Sequence, residues 1–364
     1  MPKESPAAGP PEAPSRPRRP RAAGPSVGIA DVARLAGVSV TTVSHAISGK
    51  RPVSEATAEA VRRAAKELGY SPNRAARNLR LGVADSIGLI VPDIANPYFA
   101  ELARGVEDVA AAAGTSVLLC NTDFSTEREL RYVEVLRAGG ADGVLYVAGE
   151  PPEPDLLREL GEAMPLVAVD EALPGAGATE VVSDNRGGGR LAGEHLLSLG
   201  HRRVLAIEGP RRLASAQERR RGLLEATAEA SGTEVRTHPG DYLAASGEEA
   251  VRGALAGSPD GAPWFTAVFA ANDLMAIGAI AELRRHDLSV PADVSVVGFD
   301  DSTLASLISP ALTTVRQDVG RLGAIAAERL LAAIEDPTAP TAPRTTLPTE
   351  LVVRESTAQA RKEA

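Results

Sequence analysis

Aromatic side chains are scarce, making up 3% of the 364 residues. With 44% apolar content the chain can still fill a small domain plus one large one, but the cores must be built from Ala, Val and Leu. There is one cysteine, Cys120, so an internal disulfide is excluded and a reducing compartment suits the chain. It sits in the apolar run SVLLC, which reads as a buried strand. The five histidines, His45, His195, His201, His238 and His286, never pair at metal-ligand spacing, and one Cys supports no zinc framework. No G-x-S-x-G elbow occurs. Gly187-Gly188-Gly189 lacks both the Gly-Lys-Ser/Thr of a phosphate loop and the GxGxxG spacing, and reads as a flexible helix entry. No enzyme, metal or cofactor is expected. Residues 1–25 have no apolar run of signal-peptide length, and no membrane span is expected, so the location is read as cytoplasmic. This Pro- and Ala-rich stretch, with RPRRPR at 16–21, reads as a disordered arm: either a soluble tail or a non-specific phosphate contact.

Net negative charge is also unevenly spread. Residues 1–82 hold 14 Lys and Arg against 6 Asp and Glu, a net +8, whereas the remainder carries −17. A basic end on an acidic body directs polyanion binding to that end.

The basic end has a pattern. In GIADVARLAGVSVTTVSHAISG (28–49), Ile29, Val32, Ala33 and Leu35 fall at helical spacing, and Gly37 can take the positive φ of a short turn. Ser39 is an N-cap for a second helix that buries Val43 and Ile47 and shows Val40, Thr41, Ser44 and His45. Ser54 caps a third helix with an Ala58, Val61, Ala65, Leu68 stripe, ended by Gly69. SPNRAARNLRLG (71–82) starts like a helix at Pro72 but is too short to fold alone.

The order DVARLAGVS, TVSHAISG, PVSEAT, ELGYSPNRAARNL is similar to the DNA-binding head and hinge of the lactose/galactose repressor family. The resemblance implies a head at 26–70 and a hinge helix at 71–83. It places DNA contacts on Ser39, Val40, Thr41, Thr42, Ser44, His45, Asn73 and Arg74, and makes Leu79 the wedge that opens the central base step of the operator. His45 stands where that family often has Arg, and His cannot make the two-pronged contact to guanine.

From Ser86 onward, short apolar runs (SIGLIVPDI, TSVLLCNTD, ADGVLYVAG, PLVAVDEAL, RRVLAIEGP, FTAVFAAND, VSVVGFDDS) alternate with helices such as 97–113, 126–138, 187–199, 215–230, 244–256 and 273–286. This is the pattern of parallel sheets flanked by helices. The strands are too many for one modest sheet. A two-lobed α/β body over 84–354 results, and it resembles the periplasmic-binding-protein-like core of the same family. The resemblance implies crossings near Ser183, Val296 and Asp318. Lobe 1 is then 84–183 plus 297–318, lobe 2 is 184–296 plus 319–354, and 355–364 form a tail.

Ligands in such sheets sit at the carboxyl ends of strands. Those ends read DIANPYF, CNTD, VAVD, GDY, AAND and GFDD, a set of carboxylates, amides and aromatics that suits a polyol. The resemblance carries effector contacts onto Arg219, Asp273, Tyr242, Asp123, Phe99 and Asp300. Asp300 and Asp301 are also plausible turn residues, Asn272-Asp273 a plausible N-cap, and Arg220 or Arg221 an alternative to Arg219. The expectation is a dimeric repressor that binds a near-palindromic operator and is controlled by a sugar or sugar phosphate. An exported sugar receptor would explain the body but not the head. The end of the chain has no leucine heptad, so the resemblance implies a dimer, its interface on helices beginning near Pro97 and Thr126 and on Asn272 to Arg285.

Overall fold

A computed structural model of the chain describes residues 28–48, 51–70, 85–150, 154–173, 178–228, 230–256, 263–338 and 344–361. The arm at 1–25 and the hinge at 71–83, with Asn73, Arg74 and Leu79, lie outside the described residues. The chain divides into two units, Met1–Arg80 and Leu81–Ala364.

In the first unit α1 (Ile29–Ala36), α2 (Val40–Ser48) and α3 (Glu55–Glu67) enclose Val32, Ala33, Val43, Val61 and Ala64. The caps follow from local chemistry. The Gly28 amide donates to Asp31 Oδ2 at 2.9 Å, and Gly37 ends α1 with φ 69° while the Gly37 and Val38 amides return to Arg34 and Ala33. Ser39 Oγ then accepts the Thr42 amide at 3.0 Å to open α2, and Ser54 Oγ accepts that of Thr57 at 3.3 Å to open α3. Leu35 does not join this core and is 46% exposed. The stripe on α1 runs 29, 32, 33, 36, and position 35 lies off it.

The second unit has two six-stranded sheets. Sheet 1 takes β1 (Ser86–Val91), β2 (Ser116–Asn121), β3 (Val144–Tyr146), β4 (Leu166–Val169), β5 (Thr179–Ser183) and β11 (Thr345–Leu347), in the order β11-β5-β4-β3-β1-β2, all parallel. Sheet 2 takes β6 (Arg203–Ile207), β7 (Glu234–His238), β8 (Ala267–Ala270), β9 (Ser295–Asp300), β10 (Thr313–Arg316) and β12 (Glu350–Val352), in the order β12-β10-β9-β8-β6-β7, with β12 alone antiparallel. Helices α4 (Pro97–Ala112), α5 (Thr126–Val135), α6 (Pro154–Ala163) and α12 (Val319–Glu335) belong to the first lobe. Helices α7 (Asn185–Ser198), α8 (Ala214–Ala228), α9 (Ala244–Ala256), α10 (Asp273–Arg285) and α11 (Thr303–Leu307) belong to the second.

With few aromatics to fill space, helices approach one another closely. Three pairs meet through reciprocal glycines: Gly105 and Gly323 between α4 and α12, Gly189 and Gly222 between α7 and α8, Gly247 and Gly278 between α9 and α10. A Cβ on Gly189 would lie 2.0 Å from the Arg219 carbonyl oxygen. The run Gly187 to Gly189 is therefore a packing surface inside α7, not a flexible entry, and it sets the position of Arg219.

The lobe boundaries differ from the expected ones. The crossings lie at Asp184, at Gln317–Asp318 and at Pro348–Thr349, so 319–347, expected in lobe 2, belong to lobe 1, and 297–316, expected in lobe 1, belong to lobe 2. No crossing occurs at Val296, because β9 continues through it between β8 and β10. Helix α12 instead buries Leu322, Ala326, Ala327 and Leu330 in the lobe 1 core with Leu102 and Val106. The expected tail from 355 is also part of lobe 2. Ser356 is fully buried, its hydroxyl donating to Val296 O at 2.6 Å and accepting the Thr313 amide at 2.8 Å, and Ala358 O lies 3.0 Å from His201 Nε2. Polar side chains make these contacts, so no apolar period announces them. Cys120 is a buried residue of β2, and burial pushes its thiol pKa up.

Candidate functional site

The outer face of α2 begins with Ser39, Val40 and Thr41, all exposed, while Thr42, Ser44 and His45 are half-buried. Val43, fully buried, fixes which way the helix turns. Ser39 and Thr42 hydroxyls bond each other at 2.8 Å, which leaves Val40 and Thr41 as the forward-facing pair. A methyl surface beside a hydroxyl can meet a thymine methyl and a base-edge acceptor or donor.

In the second unit, both lobes contribute to one buried polar cluster. Lobe 1 supplies Tyr98 from α4 and Asp170 and Glu171 from the end of β4. Lobe 2 supplies Asn185 from α7, Ser215 and Arg219 from α8, Tyr242, Asp300 from the end of β9, and Gln317. Arg219 is 3% exposed and held from several sides. Its Nε donates to Asn185 Oδ1 at 2.8 Å and Nη1 to Ala271 O at 2.7 Å, Asp300 Oδ1 lies 3.5 Å from Nη1, and the guanidinium carbon stands 4.0 Å from the Phe299 ring centroid. Gln317 Nε2 donates to Asp300 Oδ1 at 2.8 Å, and Tyr98 Oη donates to Asp170 Oδ1 at 2.5 Å. Glu171 crosses between lobes: Ser215 N donates to its Oε2 at 3.1 Å and Ser215 Oγ donates to its Oε1. The Ser215 hydroxyl also lies 3.2 Å from Tyr242 Oη.

Asp170, Tyr242 and Asp300 are non-glycine residues with φ of 70°, 69° and 116°. Strain of this kind persists only where surrounding contacts over-determine it. The electrostatics are equally demanding. Burial raises the carboxyl pKa of Asp170, Glu171 and Asp300, that of Glu171 to about 7, with the Asp170 charge adding to the burial at Glu171. Arg219 opposes the rise at all three. Desolvation works against the charged form of Arg219, and the groups around it, Tyr242 and Asp300 foremost, hold its pKa above the ordinary value.

The expected effector residues separate on this geometry. Arg219, Tyr242 and Asp300 come together, and Arg219 faces the cluster whereas Arg220 and Arg221 pair with Glu208 and Glu218. Phe99 is half-buried and packs edge to face on Tyr98, with centroids 5.2 Å apart. Asp123 does not join: it is an exposed turn residue paired with Arg128 at 3.0 Å. Asp273 does not offer its carboxylate either. Oδ1 accepts the Thr314 hydroxyl at 2.6 Å and Oδ2 the Ser302 amide at 2.7 Å, which makes it a clamp inside lobe 2, while Asn272 is the N-cap of α10. Tyr98, Glu171, Asn185, Ser215 and Gln317 were not anticipated. Ser215 had a signal, since it lies four residues before Arg219 on one helical face. Among the described residues no three His, Cys, Asp or Glu side chains gather to hold a metal ion, and no helix is long and apolar enough to cross a membrane.

Comparison with known proteins agrees with both units. Residues 28–73 match the bacterial regulatory proteins of the lacI family, and residues 194–357 match the periplasmic binding protein-like domain. The chain is 37% identical over 329 residues to the ribose operon repressor of Halalkalibacterium halodurans, covering 90% of this chain and 96% of that one. It is 40% identical over 308 residues to the transcriptional repressor PurR of Edwardsiella ictaluri, covering 83% and 89%. A solved lac repressor dimer bound to operator and an anti-inducer superposes with a TM-score of 0.79 at 29% identity, covering 91% and 99%. With the head, the two-lobed body and their order all matched, the chain belongs to the lacI family of bacterial regulatory proteins.

Proposed function

We propose that this chain is a cytoplasmic, homodimeric, sequence-specific DNA-binding repressor, not a catalyst, whose operator affinity is set by a polyhydroxylated effector in the buried cluster between the lobes. The observation that carries this reading is that the cluster takes groups from both lobes and closes with a direct Glu171–Ser215 bond. A ligand there exchanges these contacts for its own, and so has different affinities for different lobe angles, which is the requirement for control. The donor and acceptor set supports a polyol: carboxylates accept paired hydroxyls, Arg219 donates, and Tyr242 offers a ring face. The relatives named as a ribose operon repressor and as PurR support the regulator reading.

The dimer has its own support. Edge strand β2 exposes Leu118 and Leu119, and Phe124, Leu130 and Val135 are exposed near it. An uncovered apolar sheet edge is a liability that a second copy removes. Two heads on a dimer read two half-sites about one helical turn apart, with the Leu79 wedge at the centre. Fluorescence anisotropy with palindromic duplexes of varied half-site spacing tests this reading. Saturable, spacing-dependent binding is expected; binding that ignores sequence and spacing overturns it.

A further inference from the structure

Successive residues Asp170 and Glu171 enter the cleft because Asp170 takes φ 70°, which turns the chain after β4. Their carboxylates then part: Asp170 meets Tyr98, whereas Glu171 reaches the second residue of α8. The amides of a first helical turn carry the positive end of the helix dipole and favour an anion. Ser215 N is one of these amides, and Arg219 stands one turn further along the same helix. This is where a phosphate or carboxylate group of a small ligand would be held. It is filled instead by a side chain of the protein, 3% exposed and bonded to both the amide and the hydroxyl of Ser215.

Charge around it points the same way. Asp170, Glu171 and Asp300 surround a single guanidinium, and that guanidinium already has Asn185, Ala271 O and Asp300 as partners. A ligand that brought an anion would have to displace these groups from a guanidinium that is already committed to them and from the Ser215 amide that Glu171 occupies.

We infer that Glu171 sets the charge class of the effector: by holding the Ser215 amide and hydroxyl from the opposite lobe, it reserves the cleft for an uncharged polyol and excludes phosphate monoesters and carboxylates. The inference rests on reading the cleft as the effector site. It narrows the sequence expectation of a sugar or sugar phosphate to the first of the two.

The test uses the full chain with inorganic phosphate and with D-ribose 5-phosphate as probes, at constant ionic strength, reading melting temperature and calorimetric binding. The unaltered chain is expected to show no saturable binding that Ser215→Ala removes. Glu171→Ala, which frees the amide, is expected to gain saturable phosphate binding by about tenfold or more in affinity. Glu171→Gln, which keeps the shape and an acceptor for Ser215 but not the charge, is expected to gain less. Cleft binding of either probe by the unaltered chain, or no gain in either variant, overturns the inference. Operator binding measured on the same samples keeps the two readings apart. Its loss in all samples, the unaltered chain included, counts against the regulator reading, whereas the anion result counts only for or against Glu171.

Discussion

Asp273 holds Thr314: the hydroxyl donates to Oδ1 at 2.6 Å while the Ser302 amide takes Oδ2 at 2.7 Å, so one carboxylate ties the start of α10 to β10 and to the turn after β9. Thr314 is fully buried and Ser302 half-buried. Asp273→Ala leaves them without acceptors and is expected to lower the unfolding free energy of the body by about 3 kcal/mol or more. Asp273→Asn, keeping one acceptor, is expected to lose less. Denaturant melts of both variants check this. A neutral Asp273→Ala with lost effector response would return the residue to the binding site.

Asp300 belongs to the cluster proposed to hold the effector. Gln317 and Arg219 hold its carboxylate at the lobe crossing. Asp300→Asn keeps the shape but replaces one of the two oxygens that meet paired hydroxyls by an amide, so effector affinity is expected to fall about tenfold to a hundredfold. Operator binding without effector is expected to stay. Titration calorimetry for the ligand and anisotropy for the operator separate the two.

Glu171 gives a pH dependence with a definite sign. Its folded pKa is raised from 4.5 to about 7, mainly by burial, so the folded protein keeps a proton that the unfolded chain releases. Stability from this group is therefore present below pH 4.5 and lost as pH rises through about 7. His195 and His201, pushed down by burial, act in the opposite direction below their ordinary value. The comparison with Glu171→Gln removes them. Relative to that variant, the unaltered chain is expected to lose up to about 3 kcal/mol between acid and neutral pH. A difference that stays flat with pH would mean that Glu171 titrates as an ordinary carboxyl.

Association is expected to depend on the β2 edge. Leu119, 46% exposed, stands on it, and a Leu119→Glu change puts a charge into the proposed interface without touching a buried residue. Sedimentation is expected to show a dimer for the unaltered chain and a monomer for the variant, with operator affinity falling in parallel. A variant that remains dimeric would move the interface elsewhere.

The head was legible in the sequence because its devices are local: Gly37, Ser39 and Ser54 each act within four residues, and the structure has them capping and turning as their chemistry requires. Seven strands of the body and six of its helices were legible for the same reason, from Ser86–Val91 through Ser295–Asp300, whereas the less apolar strands Thr179–Ser183 and Glu234–His238 were not. The lobe assignment was not. Whether β9 stays beside β8 or leaves at Val296 depends on pairing across the fold, and no local pattern distinguishes the two. Asp273 and Asp300 divide in the same way. Both are carboxylates at strand ends in polar stretches, and only the tertiary partners, Thr314 and Ser302 for one and Gln317 and Arg219 for the other, separate a clamp inside lobe 2 from a member of the cluster between the lobes. Glu171 gave no signal, since its partner is 44 residues away in the other lobe.

The most direct measurement is titration of neutral sugars, beginning with D-ribose, into the complex of the full chain with its palindromic operator, followed by anisotropy. A sugar that binds the cleft is expected to release the DNA, with operator affinity unchanged in Asp300→Asn but release needing about tenfold to a hundredfold more sugar. Tightening of the complex would reverse the sign of control. Cleft binding that leaves operator affinity unchanged would contradict the account, because a ligand exchanging contacts between the lobes cannot be silent if the lobe angle governs DNA binding.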